Sequence, residues 1–265
     1  MKEYKKYIAE LYDAKSKTDP GLSKYIMLNN WNFASIYLGD NCFGQQVFRR
    51  LDSTGNVLLV GETKQERIAL VKSIITSLIL SNDPEHLKLL LVTSESEDFG
   101  GYKNEPHFID VVINNPDSFY KVICKTKHIM DERYLMFDET VIPKNLEEYN
   151  ARARANNENI LPYIVVFVDD YKKIQMSHGE LETTLVTIGQ KCRAAGIIII
   201  ASQTGTWKQK HNTVLSKNLG TVIAKNGSNI VVDNHLENVC LQANVLTKDK
   251  CLLVANYIKE NYKKI

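Results

Sequence analysis

No two cysteines stand at CxxC spacing, and no His/Cys cluster stands at metal-ligand spacing. The five cysteines (Cys42, Cys124, Cys192, Cys240 and Cys251) are scattered. An odd, dispersed set argues against a disulfide framework and fits reduced thiols in a cytosol. Most are expected to be small core residues, with Cys192, beside Arg193, a candidate reactive thiol. Charge of one sign is lacking too: 33 Lys and Arg face 31 Asp and Glu, a net +2. No global basic field therefore demands nucleic acid or an anionic membrane, and any such contact must come from local patches. The first residues, MKEYKKYIAELYDAK, contain no apolar signal core. No run approaches the ~18 apolar residues of a membrane span. The expectation is a soluble, cytoplasmic chain without internal repeats or low-complexity tracts. What is present is 44% hydrophobic residues in a chain of 265. That suffices for one large core, or a domain with an appendage.

Residues 2–15 place Tyr4, Tyr7, Ile8, Leu11 and Tyr12 at helical spacing, which predicts a short amphipathic helix packed on the main body. SKTDPGLS (16–23) is a turn-rich linker. Residues 1–25 are thus an N-terminal helix and linker, and 26–265 the principal domain. IMLNNWNFASIYLG (26–39) suggests strands, with Gly39 to Gly44 a turn before QQVFRRL. From residue 56 apolar strands alternate with helical patterns. NVLLVG (56–61) leads to a helix over 65–80, LKLLLVT (87–93) follows, and a longer helix occupies roughly 116–137. YIVVFVDD (163–170) precedes a helix near 179–195; GIIIIASQ (196–203), LGTVIAK (219–225) and KCLLVAN (250–256) then read as strands. Strands that are continuously Val, Ile and Leu are buried on both faces, the mark of a mainly parallel sheet covered by helices. The predicted class is α/β.

The stretch VLLVGETKQERIALVKSI (57–74) has the layout of a phosphate-binding loop: a buried strand, a glycine, polar residues and a helix. In GxxxxGK[ST], backbone N–H groups cradle the phosphates, the lysine reaches the outer ones and the hydroxyl holds Mg²⁺. Laid on this sequence the register is Gly61, Glu62, Thr63, Lys64, Gln65, Glu66, Arg67 and Ile68. Glu66 puts a Cβ and a negative charge where bare backbone should meet a polyanion. Arg67 keeps a cation, but its planar fork is no conservative substitute for an ammonium. Ile68 cannot ligate Mg²⁺, and Lys64 lies three residues early. The expectation is a loop that does not bind ATP tightly. Asp169 and Asp170 close the strand YIVVFVDD, where such proteins carry their metal-side acids. Asp169 would help hold Mg²⁺ and Asp170 orient the attacking water; the alternative is two aspartates that merely close a strand.

The chain resembles the FtsK/SpoIIIE family of RecA-like motor domains from about Ile36 to its C-terminus. The similarity is carried by HLKLLLVTSESEDFGGYKNEPHFIDVVINNP (86–116), with its Pro106-His107 pair, and by MDERYLMFDETVIPKNLEEYN (130–150). LPYIVVFVDDY (161–171) resembles the family's Walker B strand. IGQKCRAAGIIIIASQT (188–204) resembles its Gln-Lys-x-Arg-Ala-Ala-Gly-Ile block and the following Thr-Gln-Arg-Pro sensor strand. The resemblance implies a RecA-like P-loop NTPase core, a hexameric ring and ATP-driven movement of double-stranded DNA, or of protein in secretion relatives. It also implies that Asp169, Asp170 and Gln203 are the catalytic positions and that residues 61–68 hold the nucleotide, around one crevice. Where the family has Asp-Pro-Lys, this chain has Thr93-Ser94-Glu95, and its sensor reads Ser202-Gln203-Thr204-Gly205. No arginine occurs from residue 194 onward, so an arginine finger is missing there. The residues after this block are expected to be too few for the winged-helix domain of the translocases.

Two functions follow from the resemblance. One is a pseudo-ATPase with a degenerate Walker A motif, an interaction or regulatory module of a translocation machine such as a type VII secretion coupling protein. It would need no cofactor, and would sit in the cytoplasm or at the inner face of the membrane through a partner or larger parent chain. Its partners would be other motor modules and a secretion substrate. The other is an ATP- and Mg-dependent DNA translocase or conjugation-type motor with an atypical P-loop. Lys172, Lys173, Lys208, Lys210, Lys217 and Lys225 could line a DNA channel, although scattered solvated lysines are the usual reading. Trp207 is expected to be packed or partner-facing, and His107 to be a structural hydrogen-bonding residue. Arg133 is expected in a surface salt bridge, Tyr134 in the core, and Arg193 facing a neighbouring subunit.

Overall fold

The computed structural model describes residues 2–16, 19–26, 35–113, 115–138, 144–175, 180–206, 217–234 and 238–262. Its strands are β1 (Ser35–Asp40), β2 (Gln46–Arg50), β3 (Val57–Gly61), β4 (Leu87–Thr93), β5 (Phe108–Ile113), β6 (Tyr163–Val168), β7 (Ile197–Thr204), β8 (Thr221–Asn226), β9 (Asn229–Asn234) and β10 (Asn238–Gln242). The helices are α1 (Lys2–Leu11), α2 (Pro20–Ser23), α3 (Leu51–Thr54), α4 (Lys64–Ser81), α5 (Ser96–Phe99) and α6 (Pro116–Asp138). They continue with α7 (Leu146–Ala155), α8 (Tyr171–Gln175), α9 (Glu180–Lys191) and α10 (Lys248–Asn261).

The ten strands form one sheet in the order β2-β1-β10-β9-β8-β3-β7-β6-β4-β5. From β8 to β5 every pairing is parallel, and β9, β10, β1 and β2 extend the sheet antiparallel. The architecture is the expected α/β sheet flanked by helices. Alternate residues of each apolar run enter different cores. Val57 and Leu59 of β3, Val165 and Phe167 of β6, and Ile198 and Ile200 of β7 join the core that contains α1, α4 and α10. Leu58 and Val60, Val166 and Val168, and Ile197 and Ile199 join the core on the other face, with Ile123 and Met130 of α6 and Leu185 and Ile188 of α9. Two buried faces explain why these strands read as unbroken hydrophobic runs.

Helix α1 buries Tyr4, Ile8 and Leu11, one stripe at helical spacing, and the Tyr4 hydroxyl donates to Ile79 O at 2.6 Å. Residues 27–34 of the stretch expected as strands lie outside the described residues, as do Trp207, Lys208 and Lys210. Gly39 does not open the turn but lies inside β1, where an added Cβ would sit 2.3 Å from Gln242 O. The turn itself is built by Asn41, whose side chain accepts from the backbone N–H of Phe43 and of Gln45.

One predicted strand is a helix. Residues 250–256 lie in α10, where Cys251, Val254, Ala255 and Ile258 are buried. Their spacing of three, four and seven marks one helical face, while Leu253 stays 36% exposed. A short apolar run satisfies either period; the buried Ile258 beyond it decides for the longer element.

Candidate functional site

Strand β3 ends at Gly61 between β7 and β8. Only Glu62 and Thr63 separate it from α4, which starts at Lys64. Thr63 caps the helix: its hydroxyl accepts from Glu66 N at 3.2 Å, and the Glu66 carboxylate accepts from Thr63 N at 3.3 Å. This reciprocal box satisfies two of the backbone donors that a helix N-terminus leaves open. The residues aligned with the last four positions of GxxxxGK[ST] therefore lie in the first turns of a helix rather than in an open loop. The turn is tight, since a Cβ on Gly61 would lie 2.3 Å from Arg67 N.

The helix carries Arg67 into the crevice beyond the strand ends, where ligands of open α/β sheets bind. Its side chain is fully buried. Nη1 donates to Asp169 Oδ1. Nη2 lies 3.4 Å from Glu95 Oε1 and 3.7 Å from Asp170 Oδ2. Asp169 follows β6 and accepts two further hydrogen bonds, from Thr93 Oγ1 at 2.9 Å and Ser202 Oγ at 2.7 Å. Burial pushes the Asp169 carboxyl up, against the Arg67 charge and the hydrogen bonds from Ser202, Thr93 and Arg67. Lys64 pairs with Glu95 Oε2 at 2.5 Å. Burial would raise the Glu95 carboxyl, but the Lys64 ammonium, with Lys173 and Arg67 behind it, holds it below its usual value. Lys225 at the end of β8 donates to Glu66 Oε1 at 2.7 Å.

The structure thus joins Gly61, Lys64, Glu66, Arg67, Asp169 and Asp170, and leaves other expected site residues outside the network. Glu62 and Gln65 are exposed, and Ile68 belongs to the α4-side core. Gln203 is paired in register with Val60 and is buried. Its Oε1 accepts from Tyr171 OH at 3.2 Å, whereas Ser202, on the opposite face of β7, reaches Asp169. Asp170 has a positive φ of 54°, and its N–H donates to Ser202 Oγ at 3.0 Å. The residues that sequence reasoning passed over as partners are Thr93, Glu95, Ser202 and Lys225. All four lie at or just beyond the carboxyl ends of parallel strands, and that position was the available signal.

A magnesium-bound phosphate implied by the resemblance does not fit these residues as they stand. The Arg67 guanidinium fills the space next to Asp169, no hydroxyl stands at position 68, and the cradle backbone is helical. Among the described residues no group of three His, Cys, Asp or Glu is arranged to hold a metal.

Other candidates resolve structurally. His107 is buried between Glu105 Oε1 and Asn82 O, each at 2.8 Å. Arg133 is not in a surface salt bridge: it is buried and donates to Ala195 O at 2.6 Å and Pro162 O at 2.7 Å. Two backbone carbonyls orient its fork across the core edge, an arrangement that helix spacing cannot foretell. Arg193 is exposed and donates to Asp52 O and Ser53 O of its own chain. Cys192 is buried, and burial pushes its thiol up to about 11, the opposite of an activated thiol.

The FtsK/SpoIIIE family profile matches residues 27–205. The chain belongs to the FtsK/SpoIIIE family. It is 31% identical over 180 residues to the DNA translocase FtsK of Halalkalibacterium halodurans, covering 65% of this chain and 23% of that protein. It is 32% identical over 176 residues to the DNA translocase SpoIIIE of Bacillus subtilis, covering 63% of this chain and 22% of that one. The chain thus spans under a quarter of the length of these curated relatives. Among solved structures it is similar to Thermomonospora curvata EccC (ATPases 2 and 3) in complex with a signal sequence peptide, with TM-score 0.71 and 16% identity over 86% of this chain and 47% of that chain. It is also similar to the pCW3 conjugation coupling protein TcpA, in monomer form with ATPγS, with TM-score 0.69 and 16% identity over 90% of this chain and 73% of that chain. At these identities the likeness is one of fold: this is an FtsK/SpoIIIE-type motor domain with the RecA-like sheet. No described helix is long and apolar enough to cross a membrane.

Proposed function

We propose that this motor-type domain is a pseudo-ATPase with a degenerate Walker A motif, acting as an interaction or regulatory module of a translocation machine of the type VII secretion kind. The observation that supports it is the buried Arg67–Asp169 pair: the residue aligned with the phosphate-binding lysine is spent on the residue aligned with the magnesium ligand. The capped helix start at Lys64 supports it as well. The domain works without ATP or Mg²⁺, and its partners are other motor modules, in a ring, and a substrate protein. It lies on the cytoplasmic side, at the membrane only through a partner or a larger parent chain.

Calorimetric titration with ATP, with and without Mg²⁺, tests this reading, together with a thermal-shift series to millimolar nucleotide. A ligand at 100 times its Kd stabilises the folded state by about 2.7 kcal/mol, so a functional site is hard to miss. No heat of binding and an unchanged Tm are expected. A Mg-dependent rise in Tm, followed by turnover, would favour the second reading, a DNA translocase with an atypical P-loop, which the identity to FtsK and SpoIIIE supports. In that case binding to long duplex DNA should weaken steeply with salt.

A further inference from the structure

We propose that Arg67 is a built-in counter-cation: its guanidinium stands where a bound cation would be required, and clamps the strand ends in one nucleotide-independent arrangement. The inference rests on the pseudo-ATPase reading and gives that site a regulatory role. Three carboxylates from two strand ends converge on one guanidinium: Asp169 on Nη1, and Glu95 and Asp170 within 3.7 Å of Nη2. Hydroxyls supply the remaining order, Thr93 from β4 and Ser202 from β7, both on Asp169. Carboxylate and hydroxyl oxygens are the donors that hard divalent cations take. The space they enclose holds a side chain of the same charge sign, fully buried, whose Nε has no hydrogen-bond partner. The guanidinium is held on its Nη side, by Asp169, Glu95 and Asp170.

The surrounding charges close on themselves in the same way. Lys64 takes Glu95 and Lys225 takes Glu66, so three cations meet Glu66, Glu95 and Asp169, with Asp170 at the rim. These pairs tie α4 to the ends of β4, β6 and β8, and Ser202 adds β7. In a motor domain that uses nucleotide, binding and release change the charge between such strand ends and so change their preferred arrangement. Here the charge between them is covalently fixed. The domain presents one constant face to its neighbours.

The test is chemical rescue. Arg67→Ala vacates the space and leaves the three carboxylates facing one another, since removing one partner of a buried pair strands the other charge. A fall in Tm on the order of 10 °C is expected, with faster amide exchange at residues 93–95, 168–171 and 202–205. Titration of methylguanidinium, the cation of the deleted side chain, into the millimolar range should recover part of both losses. Wild type should not respond, and neither should Arg67→Ala combined with Asp169→Asn. An Arg67→Ala protein as stable as wild type overturns the proposal, and so does one that is destabilised but indifferent to cations. If that variant gives no soluble protein, Arg67→Lys against Arg67→Met decides: the ammonium should retain clearly more of the Tm than the neutral side chain, and equal losses overturn the clamp. Failure of the underlying reading would show instead as Mg-ATP binding to wild type, a separate measurement.

Discussion

Arg67 and Asp169 are 102 residues apart in sequence and form an ion pair in which neither side chain has any exposed surface. Taking two charges out of water is costly, and such a pair holds only when further hydrogen bonds satisfy the remaining oxygens. Thr93 and Ser202 supply them on the Asp169 side.

Asp169→Asn should therefore cost about 3 kcal/mol of stability, because it takes the buried carboxylate from Arg67 Nη1 and leaves only Glu95 and Asp170 beside Nη2. Ser202→Ala, which deletes one hydroxyl from the same carboxylate, should cost about 1–2 kcal/mol. Urea unfolding of both variants checks the order. Equal effects would mean that the ion pair carries no special share.

Repair of the loop is the second prediction. Glu66→Gly removes the carboxylate of the capping box and the Cβ that opposes close phosphate approach. Arg67→Lys removes the guanidinium from Asp169, and Ile68→Ser supplies a metal hydroxyl. The triple variant should gain Mg-ATP binding measurable by calorimetry, while each single change does little. Adding Asp169→Ala should abolish the gained magnesium dependence. Hydrolysis need not follow, since Thr204 and the missing arginines leave the transition state poorly stabilised. A folded triple variant that ignores ATP would show that the crevice differs beyond the loop.

At Gly61 the constraint is steric. An added Cβ meets Arg67 N at 2.3 Å and Glu66 C at 2.9 Å, both backbone atoms that cannot rotate away. Gly61→Ala should cost about 1–3 kcal/mol and loosen the start of α4. Chemical denaturation and amide exchange at residues 63–67 report the two effects. Gly100→Ala, where nothing lies within 4 Å of the added carbon, is the control.

Arg133 donates to two backbone carbonyls, Ala195 O and Pro162 O, from a buried position. Burial lowers its pKa to about 10, still well above neutral, so the fork remains charged. Arg133→Met leaves both carbonyls without their charged donor and should cost about 3 kcal/mol. Arg133→Lys, which cannot span both, should recover only part of that. A loss below 1 kcal/mol in the Met variant would mean that water replaces the fork.

The thiols should divide by burial. Cys192 and Cys251 are buried, and burial pushes both up to about 11, whereas Cys42 and Cys240 are exposed. Native labelling at pH 8 should modify Cys42 and Cys240 and spare the other two until the protein unfolds. A folded-state pKa above the unfolded value of about 8.5 contributes stability that is present below that value. It is lost as pH rises toward about 11. A native protein that labels at Cys192 as fast as at Cys42 would contradict the burial.

What the sequence determined by itself was local periodicity and the identity of the strand ends. Runs such as VLLVG and YIVVFV are buried on both faces, so they announce strands of a parallel sheet without needing any partner. A glycine and two aspartates after such runs mark the crevice, and long shared stretches mark the family. Only the tertiary structure decided which charges meet there. That Arg67 faces Asp169 depends on the direction in which α4 leaves β3, which the Thr63–Glu66 cap sets by starting the helix at Lys64. That Glu95 faces Lys64 and Arg67 depends on β4 lying beside β6 in the sheet. The same limit explains residues 250–256, where a short apolar run fits a strand or a helix until the surface that covers it is known. Period is a property of neighbours in the chain, whereas pairing and burial belong to residues brought together from distant parts of it.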